Sequence, residues 1–403
     1  MGTGAGDVVG VRDWARAALA MFAVGWGANQ YAPLLTMYKT ELGLGQDDVT
    51  AMFAIYIVGL IPALVLAGRW SDAHGRLVLM RPVLVLSLVA TVLMLLAPQD
   101  PLWLYLGRFL AGVASGAAFG PGGAWIRELS AAAPPGAGAR RAAIAVSGGF
   151  GLSALAAGIL GEFLPAPELT PYLPHLVLGV VAMVFAWNAP DPFVPRHGAA
   201  RAPLVPAGAR RRRFALGVAP WAPLVFGCAS MSFIVLAGLL GGDAGMPVLY
   251  AGVLAGLTLG TGVLVQPAAR RLASAAAPWR VPVAGLVAAA VGMAAGAGLV
   301  AAADLPLRAL AMLPVAVVLG AGYGTLLVGG LVEVELQSGP EEHAGMVAVF
   351  YVLAYLGMAT PYAIAAVTPI GGPMPWIGAI AVVCVLLIPL TVSQLRESPA
   401  PAS

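Results

Sequence analysis

The chain has 403 residues, 60% hydrophobic and 10% charged, with a mean hydropathy of +0.90 and a formal net charge of +3. A soluble domain carries about 25% charged residues, so this chain cannot clothe itself in a solvated surface. Composition excludes a soluble enzyme or nucleic-acid-binding domain and indicates a membrane protein with many crossings.

Charges and Pro/Gly clusters divide the chain into twelve apolar runs of about 20 residues, the length a helix needs to cross a bilayer. They cover roughly 14–38, 49–69, 79–98, 102–127, 142–163, 173–190, 214–241, 246–268, 281–303, 308–333, 343–367 and 374–393. The first run is long, lacks a small-residue cleavage site and carries Asn29, Gln30 and Tyr31 ahead of Pro33, so it reads as a retained span and not a signal peptide. Between His343 and Arg396 there is no charge, and only TPIGGPMP, Thr368 to Pro375, splits that stretch in two. Cys228 and Cys384 sit in separate apolar runs and read as core. The histidines, His74, His175, His197 and His343, are scattered among ends and loops without metal-ligand spacing.

Of the 21 Lys and Arg residues, 18 fall at the amino terminus, after the second, fourth, sixth and eighth runs, or in the carboxyl tail. Lys39 and Arg308 lie on the other side, and Arg108 lies inside the fourth run. Positive charge marks the cytoplasmic side, so both termini are expected there. The net charge then needs no nucleic-acid partner. The stretch 191–213, rich in Pro and Arg, reads as a cytoplasmic linker between two halves, 1–190 and 214–403, and its arginines can touch anionic lipid. The fourth run ends in GGAWIREL, Gly122 to Leu129, and the tenth in GGLVEVEL, Gly329 to Leu336, with four of eight positions identical at an offset of 207. Repeat and run count together suggest two related six-helix halves with the substrate path between them.

AGRWSDAHGR, Ala67 to Arg76, follows the second run. Gly68 admits a close neighbour, Asp72 can pair with an arginine or face a helix amino terminus, and Gly75 permits a tight turn. The stretch resembles the signature of the major facilitator superfamily, Gly-x-x-x-Asp-(Arg/Lys)-x-Gly-(Arg/Lys)-(Arg/Lys), with Gly68, Asp72, Gly75 and Arg76 in place and Ala73 and Leu77 departing. The resemblance implies an all-α membrane fold of twelve helices in two pseudo-symmetric halves, working by alternating access. It also implies that the aspartate meets the start of the eleventh helix, here SGPEEH, Ser338 to His343, with Ser338 as a cap and Pro340 in the first turn. Glu341, Glu342 and Glu128 are candidate partners for Arg76. The corresponding place after the eighth run, VQPAARRL, has no aspartate, so the gate motif is one-sided.

Arg108 lies about six residues into the fourth run, roughly 9 Å below its outer end. A charge there is costly unless it snorkels to headgroups or serves the transport path. RFLAG is similar to a second motif of the same family, Arg-x-x-Gln-Gly, with Arg108 and Gly112 matching and Ala111 replacing the glutamine. In drug–proton antiporters of the family this arginine is associated with proton coupling. Glu162, at the outer end of the fifth run, is the acid whose height suits Arg108; Glu333 and Glu335 lie too far inward. Either Glu162 exchanges protons beside Arg108, or an anionic substrate supplies the counter-charge. Gly112, Gly116 and Gly120 form a four-spaced face for close packing. The fifth run is rich in glycine but lacks the proline of the family's exporter signature. Asn29, Gln30, Tyr31, Ser230, Ser232, Tyr351 and Tyr355 are candidate cavity residues.

The expected function is secondary active transport of a small organic solute, first as proton-coupled efflux. The alternatives are uptake or exchange of an organic anion, and a non-transporting sensor or membrane enzyme on the same scaffold. No clustered catalytic set or phosphate loop supports an enzyme, ATP drive or a cofactor. The expected partners are the solute, protons and membrane lipid, and the expected state is a monomer in a bacterial inner membrane. Preference for Arg over Lys, with abundant Ala and Gly, hints at a GC-rich bacterial genome. A cysteine at Gly198 should react with impermeant thiol reagents only from the cytoplasm, and one at Gly45 only from outside; the reverse pattern would invert the orientation.

Overall fold

The computed structural model describes residues 13–134, 136–192, 205–273, 277–339 and 342–396, and every regular element among them is helical. The first half of the chain holds α1 (Asp13–Asn29), α2 (Leu35–Glu41), α3 (Gln46–His74), α4 (Arg76–Met94), α5 (Leu102–Glu128), α6 (Ala137–Phe163) and α7 (Leu173–Ala186). The second holds α8 (Arg212–Gly217), α9 (Leu224–Ser230), α10 (Ala237–Ala244), α11 (Pro247–Leu272), α12 (Arg280–Ala301), α13 (Arg308–Gln337), α14 (His343–Leu356), α15 (Thr360–Val367) and α16 (Met374–Leu395). Among the described residues, ten helices are long and apolar enough to cross a membrane, counting Leu224–Ala244 and His343–Val367 as one each. The first run is broken at Pro33, where a 3-10 turn, Ala32–Leu34, separates α1 from α2. The sixth is shorter, Thr170–Ala186, about 25 Å at 1.5 Å per residue. The split in the last apolar stretch falls where TPIGGPMP places it, with Gly371 and Gly372 both at positive φ between α15 and α16.

Helices in lipid gain nothing from hiding apolar side chains from one another, so they associate by close packing and small residues. Here backbones touch. A Cβ on Gly112 would fall on the carbonyl oxygen of Tyr56, one on Gly116 on that of Leu60, and one on Gly59 on that of Phe109, which locks α3 against α5. Gly149 meets α1 in the same way at Phe22, and Gly320 and Gly324 bring α13 onto α11 at Thr258 and Gly262. Large apolar side chains point outward, with Val184 68% and Leu386 65% exposed, as suits a lipid-facing surface. Around this scaffold α1 packs on α5, α6 and α7, while α12 packs on α13 and α16. Elements from the two ends of the chain meet where α6 lies along α11 and where α3 lies along α14 and α15.

Two sequence expectations about glycine need correction. A Cβ on Gly68 or on Gly120 would have nothing within 4 Å, so neither is a close-approach position; the α3–α5 contact row ends at Gly116. Gly75 is different. It sits between α3 and α4 with φ 103°, where a side chain would be strained. Gly112→Val should therefore lower stability by at least about 2 kcal/mol through overpacking, whereas Gly120→Ala should be neutral or gain about 0.5 kcal/mol. Thermal unfolding of the detergent-solubilised variants checks the contrast.

Candidate functional site

A small cavity of about 30 Å³ lies where elements from the two ends of the chain converge. Six aromatic rings line it: Tyr56 of α3, Phe150 of α6, Phe226 of α9, Phe233, Tyr323 of α13 and Tyr355 of α14. Phe233 lies in a π-helical turn, Met231–Leu236, joining α9 to α10, an insertion that turns ring and backbone out of the α-helical register. Phe226 stacks on Tyr355 at 4.4 Å with the planes 10° apart, and Tyr323 approaches Phe226 at 5.6 Å. Two polar side chains join the lining. Asn29 donates through Nδ2 to the Phe150 carbonyl at 3.0 Å, and Ser230 donates to the Gly357 carbonyl at 3.2 Å.

Behind this cavity is Arg108, only 1% exposed on α5. Its guanidinium carbon stands 4.7 Å from the ring centroid of Tyr31, 4.5 Å from Tyr56 and 5.6 Å from Phe53. Nη1 donates to the Ala28 carbonyl at 2.9 Å, and Nε has no partner. Among the described residues no carboxylate reaches Arg108 within ion-pair distance. Each ring contributes on the order of 1 kcal/mol to holding the cation, against several kcal/mol for burying an unpaired ion. Rings and one carbonyl therefore leave this charge under-compensated. Snorkelling does not describe it, because the side chain is enclosed.

The remaining sequence candidates scatter around this centre. Gln30 donates through Nε2 to Thr91 Oγ1 at 3.0 Å and does not line the cavity. Thr91 also bonds Nδ1 of His175 at 2.7 Å, and His175, in the first turn of α7, is at a helix end but fully buried. Tyr31 covers Arg108 and stacks on Tyr38 at 5.5 Å. Ser232 pairs with Thr258 at 2.7 Å, away from the cavity lining. Tyr351 stands 6.1 Å from Tyr355 but is not part of the wall. Gly112 packs α5 on α3 and has no room to touch a solute. Missed by sequence reading were Tyr56, Phe150, Phe226, Phe233 and Tyr323. In an apolar run an aromatic residue looks like core, and no local pattern marks it as a wall.

Glu162 takes a role that its sequence position did not suggest. It does not pair with Arg108. Its carboxylate accepts the backbone N–H groups of Val248 and Leu249, at 2.9 and 3.0 Å, and so caps the start of α11 from α6. Helix α11 begins with Pro247 and has no side-chain cap of its own, so these donors would otherwise lack partners. One turn earlier in α6, a Cβ on Gly158 would lie 3.0 Å from the Cα of Gly252, which closes the same seam. This seam lies at the ends of α6 and α11 remote from the arginine clusters.

At the arginine-rich end, Arg76 bonds Asp72 at 2.5 Å, Glu128 at 2.8 Å and Ser71 Oγ at 3.0 Å. Of Glu128 and Glu342, Glu128 is thus the one that Arg76 bonds among the described residues, and Asp72 joins the same cluster. Glu341 lies outside the described residues, as do Arg196, His197 and Arg201 of the linker. Glu342 faces the linker turn: a Cβ on Gly208 would lie 3.1 Å from its Oε2. In the second half of the chain Arg213 bonds Glu333, which is fully buried and also accepts from Gln337 at 2.8 Å.

The sequence model of the Major Facilitator Superfamily matches residues 17–362. The multidrug resistance protein MdtL of Shigella flexneri serotype 5b is 29% identical over 93 residues, 23% of this chain and 24% of the relative, and MdtL of Escherichia coli O9:H4 aligns with the same identity and coverage. The matched segment thus spans about a quarter of these relatives' length. Among solved structures, a mutant of the nucleoside transporter NupG superposes with a TM-score of 0.76 at 13% identity, covering 94% of this chain and 99% of that one. A POT family transporter in complex with 5-aminolevulinic acid superposes with a TM-score of 0.77 at 13% identity, covering 96% and 97%. At that identity the likeness is one of fold.

The Glu162 cap makes its own prediction. Removing it leaves two backbone donors unsatisfied, a loss of about 2 kcal/mol at the seam. In protein with Cys228 and Cys384 replaced by alanine, a cysteine at Ala157, which is buried there, should react with thiol reagents severalfold faster once Glu162→Ala is added. Glu162→Gln, which keeps one acceptor oxygen, should have a smaller effect. Unchanged reactivity in Glu162→Ala would mean that the cap does not hold the seam.

Proposed function

The chain belongs to the Major Facilitator Superfamily, and from that premise we propose that it exports a small organic solute by alternating access, driven by inward proton flow. In this reading residues 1–190 and 214–403 are two six-helix halves joined by the 191–213 linker, and the cavity between them is the solute site. The observation that carries it is the cavity wall, to which α3 and α6 contribute from one side and α9, α13 and α14 from the other. A solute held there bridges both halves, so its binding energy can bias their rocking. The arginine distribution puts the Glu162 seam on the outer side, so this conformation is closed toward the outside. The Arg76 cluster at the cytoplasmic end would stabilise the helix ends that must re-engage when the halves rock. The name of the MdtL relatives, multidrug resistance proteins, supports export of organic compounds.

Proton coupling requires a group that responds to the gradient, and the carboxylate best placed at the moving seam is Glu162. The reading is tested in everted vesicles or proteoliposomes carrying a pH gradient, acid inside, with a trapped pH dye and a panel of neutral, cationic and anionic aromatic compounds. Transported compounds should release luminal protons, and the release should fall at least about tenfold in Arg108→Ala. Arg108→Lys should rescue poorly, because lysine keeps the charge and loses the planar fork. Full activity in a well-inserted Arg108→Ala protein, or solute flux indifferent to the gradient, would overturn the coupled reading.

A further inference from the structure

We propose that Arg108 is the docking point for the acidic group of a flat aromatic solute held in the central cavity. The inference rests on the cavity being the solute site and adds the chemistry of the solute.

The barrier between arginine and cavity is one side chain thick. Tyr56 has one face toward the guanidinium, at 4.5 Å, and also lines the cavity. Ala28, whose carbonyl accepts a hydrogen bond from Nη1 at 2.9 Å, lines it too. Because Nη1 is committed there, the edge left over is the one bearing Nε, and Nε is buried with no partner. That edge presents two parallel N–H donors, the geometry that matches the two oxygens of a carboxylate. The hydroxyl of Tyr31, also buried and unpartnered, belongs to the same box. An arginine cannot shed its proton to escape burial, and its surroundings supply rings and one carbonyl but no anion. A solute anion completes the set.

The rest of the solute is read from the wall. The cavity offers six rings, three of them tyrosines, and two further polar side chains, Asn29 and Ser230, which already bond backbone carbonyls. The stacked pair Phe226 and Tyr355 lies 4.4 Å apart, nearly parallel. A planar aromatic body can stack on these faces as they separate. At about 30 Å³ the cavity now holds no more than a water. Binding therefore requires the Tyr56 ring to swing aside, which joins the cavity to the guanidinium in the same motion.

The test is equilibrium binding of radiolabelled 1-naphthoate to the purified full-length protein at neutral pH. Saturable binding is expected, displaced by unlabelled 1-naphthoate and at least tenfold less well by the isosteric amide 1-naphthamide and the amine 1-naphthylmethylamine. Arg108→Lys should weaken naphthoate binding at least tenfold, and Phe226→Ala should weaken it as well. The charge selectivity is read on the unaltered protein, so it stands even where a variant fails to fold. Absence of saturable binding, equal displacement by amide or amine, or unchanged affinity in a folded Arg108→Lys protein would each overturn the proposal. Naphthoate binding without flux would leave this assignment standing and overturn the transport reading. Proton-driven flux of neutral or cationic compounds, with no naphthoate binding, would do the reverse.

Discussion

Contact of backbone on backbone at glycine is the constraint from which the rest of this bundle follows. In lipid the hydrophobic effect does not drive one apolar helix onto another, so stability depends on how closely the helix axes can approach. Gly59, Gly112 and Gly116 bring α3 and α5 together until carbonyl oxygens fill the space a Cβ would need, and Gly320 and Gly324 do the same for α13 and α11. Each such contact fixes register as well as distance, because a shift by one residue would drive a side chain into the neighbouring backbone. The position of Arg108 depends directly on this. It lies one turn before Gly112 on α5, so the glycine row that seats α5 on α3 also sets the guanidinium over Tyr56 of α3.

With the frame held this way, the interior can carry polar groups that composition would not favour. They are of two kinds. Gln30, Thr91 and His175 form a hydrogen-bonded chain between the end of α1, α4 and α7, with Gln30 Oε1 left unpartnered. Arg108 keeps an unpartnered Nε beside the unpartnered Tyr31 hydroxyl. The difference is one of place, since side-chain bonds between helices tie those helices together, whereas unsatisfied groups beside a cavity retain capacity for a ligand. Charge at the ends of the helices is also divided. Arg76 bonds Glu128 within the first half of the chain and Arg213 bonds Glu333 within the second, while Glu162 reaches across the seam to α11. A device that bridges α6 and α11 can change when they move apart; one confined to neighbouring helices travels with them.

Several features were legible in the chain itself because they are local or compositional. Membrane class follows from 60% hydrophobic against 10% charged residues. The break at Pro33 follows from a missing N–H, the turn at Gly75 from a φ that other residues avoid, and the division between α15 and α16 from TPIGGPMP. The family signature at Gly68, Asp72, Gly75 and Arg76 was likewise readable, being short and contiguous. The partner of Arg76 was only narrowed to three acids. Glu128 lies 52 residues away, and selecting it needs α4 and α5 placed side by side.

What the tertiary structure alone decided has a common physical cause. These helices are apolar all round, so no amphipathic period marks the side that faces a cavity, a neighbour or lipid. Phe226 and Tyr323 line the cavity while Phe185 is 54% exposed on the outside, and nothing in their local sequence separates them. The same holds for the glycines, where Gly112 and Gly120 share one four-residue spacing yet only the former meets a backbone. Glu162 and Arg108 were matched by height along their helices, but rotation about the helix axis turns one carboxylate to the start of α11 and encloses the arginine among rings. Composition and local chain geometry therefore determined which segments cross and where they bend. Helix rotation and register, set by packing between segments far apart in sequence, determined which side chains meet.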